Sequence, residues 1–393
     1  MSKAFLVLII FGYIAYALLR PLAPIQPVLT MLPAVTTTAG KTLAWPSQGQ
    51  AAVGINPSGV LSMHGEEQPV PIASTAKVLT ALMVLKKQPL TLKQMGPKIT
   101  ITSADVALYS SYVAGDGSVT AVEAGETLTE YQMLQAILLP SANNIADSLA
   151  IWAFGSLQNY STFANNYSRQ IGLTHTHVGS DASGYDPSTV STAHDLVLLG
   201  EAAIQNPVLA EIVGQTSASL PVAGTIQNVN GLLGMHDIIG VKTGNTDQAG
   251  GVFLAAQRAT IAGKSLILVA AIVGTNSLFD ALRSSLPLLD SAQQNFATAT
   301  IAPARQVVAN YVSPWGTSAR AVTAQPLAAV VWQGSSVQPI LNIHSVATDN
   351  KAGEQVGNVR LAESSVGPAQ SVRVLLDGAI GKPSWAWRLS HPY

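Results

Sequence analysis

The chain has 393 residues, enough for two separate cores rather than one. Its 20 basic and 21 acidic side chains leave a net charge of −1, so neither a nucleic-acid footprint nor a polybasic membrane surface is expected. Cysteine is absent, which excludes disulfide frameworks, thiolate nucleophiles and Cys-based metal sites; any chemistry must run on oxygen and nitrogen groups.

At the N-terminus Lys3 precedes the uncharged run Ala4 to Leu19, closed by Arg20. This reads as an export segment over residues 1–20. At ~1.5 Å per residue the run reaches about 24 Å, short of the ~30 Å hydrocarbon core, so signal peptide and short anchor both fit. No small-x-small cleavage pattern follows it, which favours a retained anchor with the rest of the chain outside the cytoplasm. Residues 21–42 are rich in Pro and Thr without a period and read as a linker.

A folded unit is expected over residues 43–300. Asn56-Pro57-Ser58-Gly59 separates two short apolar runs and predicts a hairpin, the start of an antiparallel sheet. Ser74 to Lys87 lacks Gly and Pro and is apolar on nearly every face apart from Lys77 and its end, which predicts a buried central helix. Thr127-Leu128-Thr129-Glu130 has capping-box spacing and opens a helix that stops at Pro140; a second helix follows Ser141-Ala142-Asn143. That tripeptide is thereby left on a connection, where functional groups concentrate. VKTGNTDQAGGVFLAAQ and KSLILVAAIVG read as two adjacent strands, and Leu278 to Asn295 as a closing helix. From 301 to 393 short, alternating, turn-bounded runs predict a small all-β domain. The fold class is therefore α+β, with a β-rich domain behind it.

Three motifs carry the chemistry: Ser74-Thr75-Ala76-Lys77, Ser141-Ala142-Asn143 and Lys242-Thr243-Gly244. Ser74 stands where the buried helix starts, beside unpaired backbone donors, and Lys77 falls on the same face one turn later. A lysine in an apolar helix needs a carboxylate partner, and none stands at helical spacing nearby. Desolvation and a second cation, for which Lys242 is the candidate, would instead depress its pKa and leave a neutral amine able to take the Ser74 proton. Ser141 could then relay a proton to the leaving amine, and the Asn143 amide could hold substrate peptide groups. Lys242 and Thr243 could grip a free carboxylate, with Gly244 leaving room for a substrate backbone. The backbone N–H groups of Ser74 and Asn245 would supply an oxyanion hole. His175-Thr176-His177 lacks a third ligand at a recognisable spacing, and His194-Asp195 reads as a helix start, so neither a metal nor a cofactor is expected.

The three motifs together resemble the penicillin-binding proteins and serine β-lactamases, whose signature is S-x-x-K, S-x-N and K-T-G. The longer wording, PIASTAKVLTALMVL, GETLTEYQMLQAILLPSANNIADSLA and GVKTGNTDQAGGVFLAA, with YSTFANNYSRQIGLTHTHV and STAHDLVLL, is similar to the low-molecular-mass D-alanyl-D-alanine carboxypeptidases. The resemblance implies a β-lactamase/penicillin-binding transpeptidase-like domain: an antiparallel sheet with a helical subdomain around a buried central helix. It implies peptidoglycan stem peptides as substrates, β-lactam antibiotics as covalent inhibitors, an acyl-serine intermediate and an extracytoplasmic or periplasmic place of work. D,D-endopeptidase or transpeptidase action on the same substrates is the alternative; a β-lactamase or a non-catalytic wall-binding protein fits less well, the former because no glutamate lies between Tyr131 and Gly200. Departures from the family pattern are the stretch Ser180 to Asp186 and Asn144, which stands where an aspartate is frequent. Arg258 and Arg283 are candidates for the arginine that often helps hold the substrate carboxylate. The chain's end, WAWRLSHPY, offers no amphipathic basic helix, so membrane attachment is expected to rest on the N-terminus.

Overall fold

The computed structural model describes residues 3–361, 366 and 370–391. The chain divides into two compact units, Lys41–Phe296 and a second made of Met1–Gly40 with Ala297–Tyr393. The N-terminal apolar run forms helix α1 (Lys3–Leu19). Among the described residues no single helix is long and apolar enough to cross a membrane.

In the larger unit the hairpin around Asn56–Gly59 joins strand β1 (Gln50–Asn56) to β2 (Gly59–His64). Three further strands, β3 (Ile238–Thr246), β4 (Gly250–Ile261) and β5 (Lys264–Thr275), complete an antiparallel sheet in the order β3-β4-β5-β1-β2. The stretch read as a single strand, VKTGNTDQAGGVFLAAQ, is thus itself a hairpin that turns at Asp247–Ala249. The turn overlaps the polar stretch Asn245 to Gln248, between strand segments paired from Val241 with Ala255 to Thr246 with Gly250.

Helix α2 (Ala76–Lys87) is buried along most of its length and meets four others: α4 (Glu130–Leu138), α5 (Asn143–Phe154), α6 (Leu157–Gln170) and α7 (Ala193–Gln205). Enclosure on all sides explains why its sequence is apolar on nearly every face. Helix α3 (Ser103–Ala114) packs on α5, while α7 and the later helix α9 (Leu278–Gln293) pack on the sheet; a short helix α8 (Pro207–Val213) follows α7.

The expected capping box is displaced by two residues. Thr127–Thr129 is a strand paired with Lys98–Thr100, which occupies Thr127, and Thr129 caps α4 reciprocally with Gln132. Glu130, read as the capping acid, is buried instead; neither carboxylate oxygen has a partner among the described residues, and burial raises its pKa to about 7.

The smaller unit holds a six-stranded sheet in the order Pro27–Leu29, Val307–Val312, Ser318–Thr323, Ser371–Leu376, Gln355–Leu361, Pro339–Ile343. Its first strand corrects the reading of residues 21–42 as a linker. Pro27 pairs with Tyr311 and Leu29 with Ala309, Val35–Thr36 pairs with Ser336–Val337, and Ile25 and Leu32 enter the core with Val308, Tyr311 and Val359. Proline at the start of an edge strand forfeits no needed ladder bond, so a Pro-rich segment can still be a strand. The WAWRLS segment forms a six-residue helix α10 (Trp385–Ser390) beside α1: Arg388 donates to the carbonyls of Leu18 and Arg20 (2.9 Å each), and the Tyr13 hydroxyl donates to the Leu389 carbonyl.

Truncating Ile25 to Ala is expected to lower the unfolding free energy by about 2–5 kcal/mol in a urea titration, as for a core isoleucine; a linker residue would change it by less than about 0.5 kcal/mol.

Candidate active site

Ser74 sits in a 3₁₀ turn, Ala73–Thr75, that runs directly into α2; it is partly exposed, while Lys77, one turn on, is fully buried. The Lys77 Nζ has three neighbours: Ser74 Oγ at 2.8 Å, Asn143 Oδ1 at 2.7 Å and the Ser183 carbonyl oxygen at 3.0 Å. Two of these, the amide and peptide carbonyls, can only accept hydrogen bonds. A neutral amine donates its two N–H bonds to them and has its lone pair left for the Ser74 O–H. Burial is the main cause that brings the Lys77 pKa well below the usual lysine range, and the Lys242 cation adds to it; the Asp181 and Asp147 carboxylates oppose both.

The second motif lies on the α4–α5 connection. Asn143 is the first residue of α5, its backbone N–H donating to the Ser118 carbonyl (2.7 Å). Ser141 has a positive φ of 70°, which turns the chain between the helices, and its buried hydroxyl has no partner among the described residues. No hydrogen bond links it to Lys77 or Lys242.

The third motif is on β3, which runs alongside the Ser74 turn. A Cβ on Gly244 would lie 2.9 Å from the Ile72 carbonyl oxygen and 3.2 Å from the Ser74 nitrogen, so only glycine allows so close an approach. Lys242 is fully buried; its Nζ donates to the Thr243 carbonyl (3.0 Å), and no carboxylate pairs with it among the described residues. Burial pulls its pKa down to about 7. An anion arriving beside it would restore the charge.

Ser74 lies between two hollows. One, of about 370 Å³, is bordered by Asn143, Tyr185, Gly117 and Asp247; the other, of about 180 Å³, by Ser141, Thr243, Gly244 and Asn245. The structure thus gathers all eight residues singled out from the motifs around the serine: Ser74, Lys77, Ser141, Asn143, Lys242, Thr243, Gly244 and Asn245. Arg258 and Arg283 border neither hollow. Arg258 is exposed on β4, and Arg283 points to solvent near Asp280. His194 bonds to its neighbour Asp195 (3.2 Å) and faces Glu67.

Sequence reasoning missed the Ser183 carbonyl, the third neighbour of the amine. It belongs to the loop Asp181–Asp186, where Asp181 Oδ1 accepts from the N–H groups of Ser183 (2.6 Å) and Gly184 (2.7 Å). A backbone acceptor leaves no mark in side-chain patterns; the only signal was the aspartate two residues earlier, able to organise a turn.

Replacing Gly244 by Ala is expected to push β3 away from the serine at a strain of about 1–3 kcal/mol. The melting temperature should fall while far-UV circular dichroism is retained.

The sequence model for the D-alanyl-D-alanine carboxypeptidase family matches residues 37–274. Among curated relatives, the D-alanyl-D-alanine carboxypeptidase DacB2 of Mycobacterium tuberculosis is 32% identical over 229 residues, 57% of this chain and 74% of the relative. DacD of Salmonella typhimurium is 28% identical over 62% of this chain and 61% of its own length. Among solved structures, a peptidoglycan synthesis regulatory factor (PBP3) from Streptococcus pneumoniae superposes with a TM-score of 0.63 at 19% identity, over 86% of this chain and all of that one. Penicillin-binding protein 5 from Haemophilus influenzae gives a TM-score of 0.60 at 20% identity over 87% of this chain and 99% of that one, which establishes the α+β fold with its β-rich C-terminal part. The span matched by the family model takes in Ser74, Ser141 and Lys242 alike and more than half of the chain, so this protein belongs to the D-alanyl-D-alanine carboxypeptidase family.

Proposed function

We propose that the protein is a serine-type D-alanyl-D-alanine carboxypeptidase that removes the terminal D-alanine from peptidoglycan stem peptides through an acyl-Ser74 intermediate. The observation that carries this reading is the Lys77 amine, desolvated and held by two obligate acceptors so that its lone pair faces the Ser74 hydroxyl. Ser74 Oγ attacks the carbonyl of the penultimate D-alanine as Lys77 takes its proton. The backbone N–H groups of Ser74 and Asn245 receive the oxyanion. The C–N bond then breaks as the proton held by Lys77 passes through the Ser141 hydroxyl to the leaving nitrogen, which returns Lys77 to its neutral form, and D-alanine departs. Water adds to the acyl-serine with Lys77 again as base, releasing the shortened peptide and the free serine.

On this reading the substrate's terminal carboxylate enters the hollow bordered by Ser141, Thr243 and Gly244, and the neighbouring Lys242, buried with no acidic partner among the described residues, supplies the positive charge. A buried cation without a counterion is a poor structural element and a good anion receptor. β-Lactams, which also present a carboxylate beside a reactive carbonyl, are expected to acylate the same serine. We further propose that α1 anchors the protein at the extracytoplasmic face of the cell membrane. Its exposed apolar side chains, Phe5, Leu8 and Phe11 among them, support that reading.

A fluorescent penicillin is expected to label the wild type and not Ser74→Ala, and the wild type should release free D-alanine from a pentapeptide. An undiminished band for Ser74→Ala would refute the acyl-serine model, and cleavage of cross-links without D-alanine release would refute carboxypeptidase action. Lys77→Arg, which cannot deprotonate, should lower kcat by ~10²–10⁴-fold.

The pH profile has a defined sign. Lys77 must be neutral, so kcat/KM falls on the acid side as the amine gains its proton. Lys242 must be charged, so kcat/KM falls on the alkaline side beyond about pH 7, where the free enzyme loses that proton. Lys242→Arg should displace the alkaline limb upward; a limb left in place would remove Lys242 from this role. Full-length protein is expected to stay with membranes in a carbonate wash, and a variant lacking residues 1–20 to be released by it.

A further inference from the structure

The mechanism above makes no use of Asp147, a carboxylate that is only 3% exposed and lies next to the catalytic groups. It stands four residues after Asn143 on α5, so both side chains project from one face of that helix. Its two oxygens bind two other segments of the chain. Oδ1 accepts from the Ala182 N–H (2.8 Å), and Oδ2 accepts from the Tyr112 hydroxyl (2.7 Å) near the end of α3.

Each contact leads to the cleft. Ala182 immediately precedes Ser183, whose carbonyl receives one N–H of Lys77. The Tyr112 carbonyl accepts from the Gly117 N–H (2.8 Å), fixing the loop that borders the larger hollow. The Tyr112 ring also meets edge-on, with centroids 5.5 Å apart, the ring of Tyr185, which borders the same hollow. Asp181 differs in kind: its bonds stay within its own turn, residues 181–186. Asp147 ties α3, α5 and that turn together.

We propose that Asp147 is a positioning residue for acylation, holding in place the Ser183 carbonyl, through the adjacent Ala182, and the loop at Gly117, through Tyr112, so that the Lys77 lone pair is directed at Ser74. The helix α5 then supplies both acceptors of the Lys77 amine, Asn143 Oδ1 directly and the Ser183 carbonyl through Asp147. Neither partner of the carboxylate is a cation. Desolvation is the main cause that raises its pKa to about 6, so it is charged at neutral pH, where its field holds the Lys77 proton more tightly. The titratable groups around the pair are Tyr112 on α3, Tyr160 on α6, Asp181 in the turn and Lys242 on β3. A buried carboxylate with no cationic partner is costly to keep where shape alone is needed.

The inference rests on acylation of Ser74 with Lys77 as base, and the test separates the two. The second-order rate of labelling by a fluorescent penicillin is measured from pH 5 to 9 for wild type, Asp147→Asn and Tyr112→Phe, with thermal unfolding followed in parallel. Asp147→Asn keeps the volume and one acceptor but removes the charge. It is expected to label about tenfold more slowly at its optimum, with its acid limb displaced to lower pH because the amine has lost a neighbouring anion. Tyr112→Phe should label about threefold more slowly with its acid limb unmoved. An Asp147→Asn limb that coincides with wild type overturns the proposal, whatever happens to its melting temperature. Should Asp147→Asn fail to fold, a Tyr112→Phe rate equal to wild type overturns it. Failure of the wild type itself to be labelled at Ser74 defeats the proposed function instead.

Discussion

Burying the amine of Lys77 imposes the constraint on which the rest of the site depends. An ammonium taken out of water without a salt-bridge partner is too costly to keep charged, so the group is driven toward its neutral form and must still satisfy its N–H bonds. Two carbonyl oxygens do this, one from the Asn143 side chain and one from the Ser183 backbone. Their positions leave a single direction free, and Ser74 occupies it. Packing and proton transfer are therefore one requirement: the helices that exclude water from α2 also tune the base.

The same logic runs in the opposite sense at Lys242. There the amine has a backbone carbonyl for company but no anion among the described residues, and its pKa is pulled to about 7 by burial alone. An incoming carboxylate would re-establish its charge, which makes binding and protonation mutually dependent. The proposed mechanism asks opposite states of the two lysines: Lys77, with two carbonyl acceptors and a hydroxyl beside it, is to be neutral, whereas Lys242, with one carbonyl acceptor, is to be recharged by its ligand.

Much of this was legible in the sequence. A lysine inside an apolar helix, a serine one turn before it and a Lys-Thr-Gly on a strand each broke a local pattern in a way that demanded a chemical reason, and the structure brings them to one place. What was hidden depends on contacts between residues far apart in the chain. Thr127 looked like a cap because its pairing with Thr100 lies outside any local window. The strand at Pro27–Leu29 was obscured by proline content, and its partner lies some 280 residues away, from Leu29 to Ala309. The Ser183 carbonyl and the Asp147 bridge could not be read at all, since a backbone acceptor has no side-chain signature and a single aspartate in a helix has many meanings. Burial, which only the fold reveals, gives Asp147 its weight.

The edge strand Pro27–Leu29 carries a consequence for how the protein is made. The smaller unit takes strands from both sides of residues 41–296, so the catalytic part of the chain is an insertion within a host domain. The ends of the insertion meet: Lys41 Nζ donates to Gln294 Oε1 (3.3 Å), and the Ala44 N–H donates to Ser291 Oγ (2.9 Å). During synthesis or translocation the inserted part can complete its core as soon as its last helix emerges, whereas the host must wait for strands translated much later. A chain cut short after α9 would leave its first strand without its partner Val307–Val312, an exposed edge open to pairing with other chains.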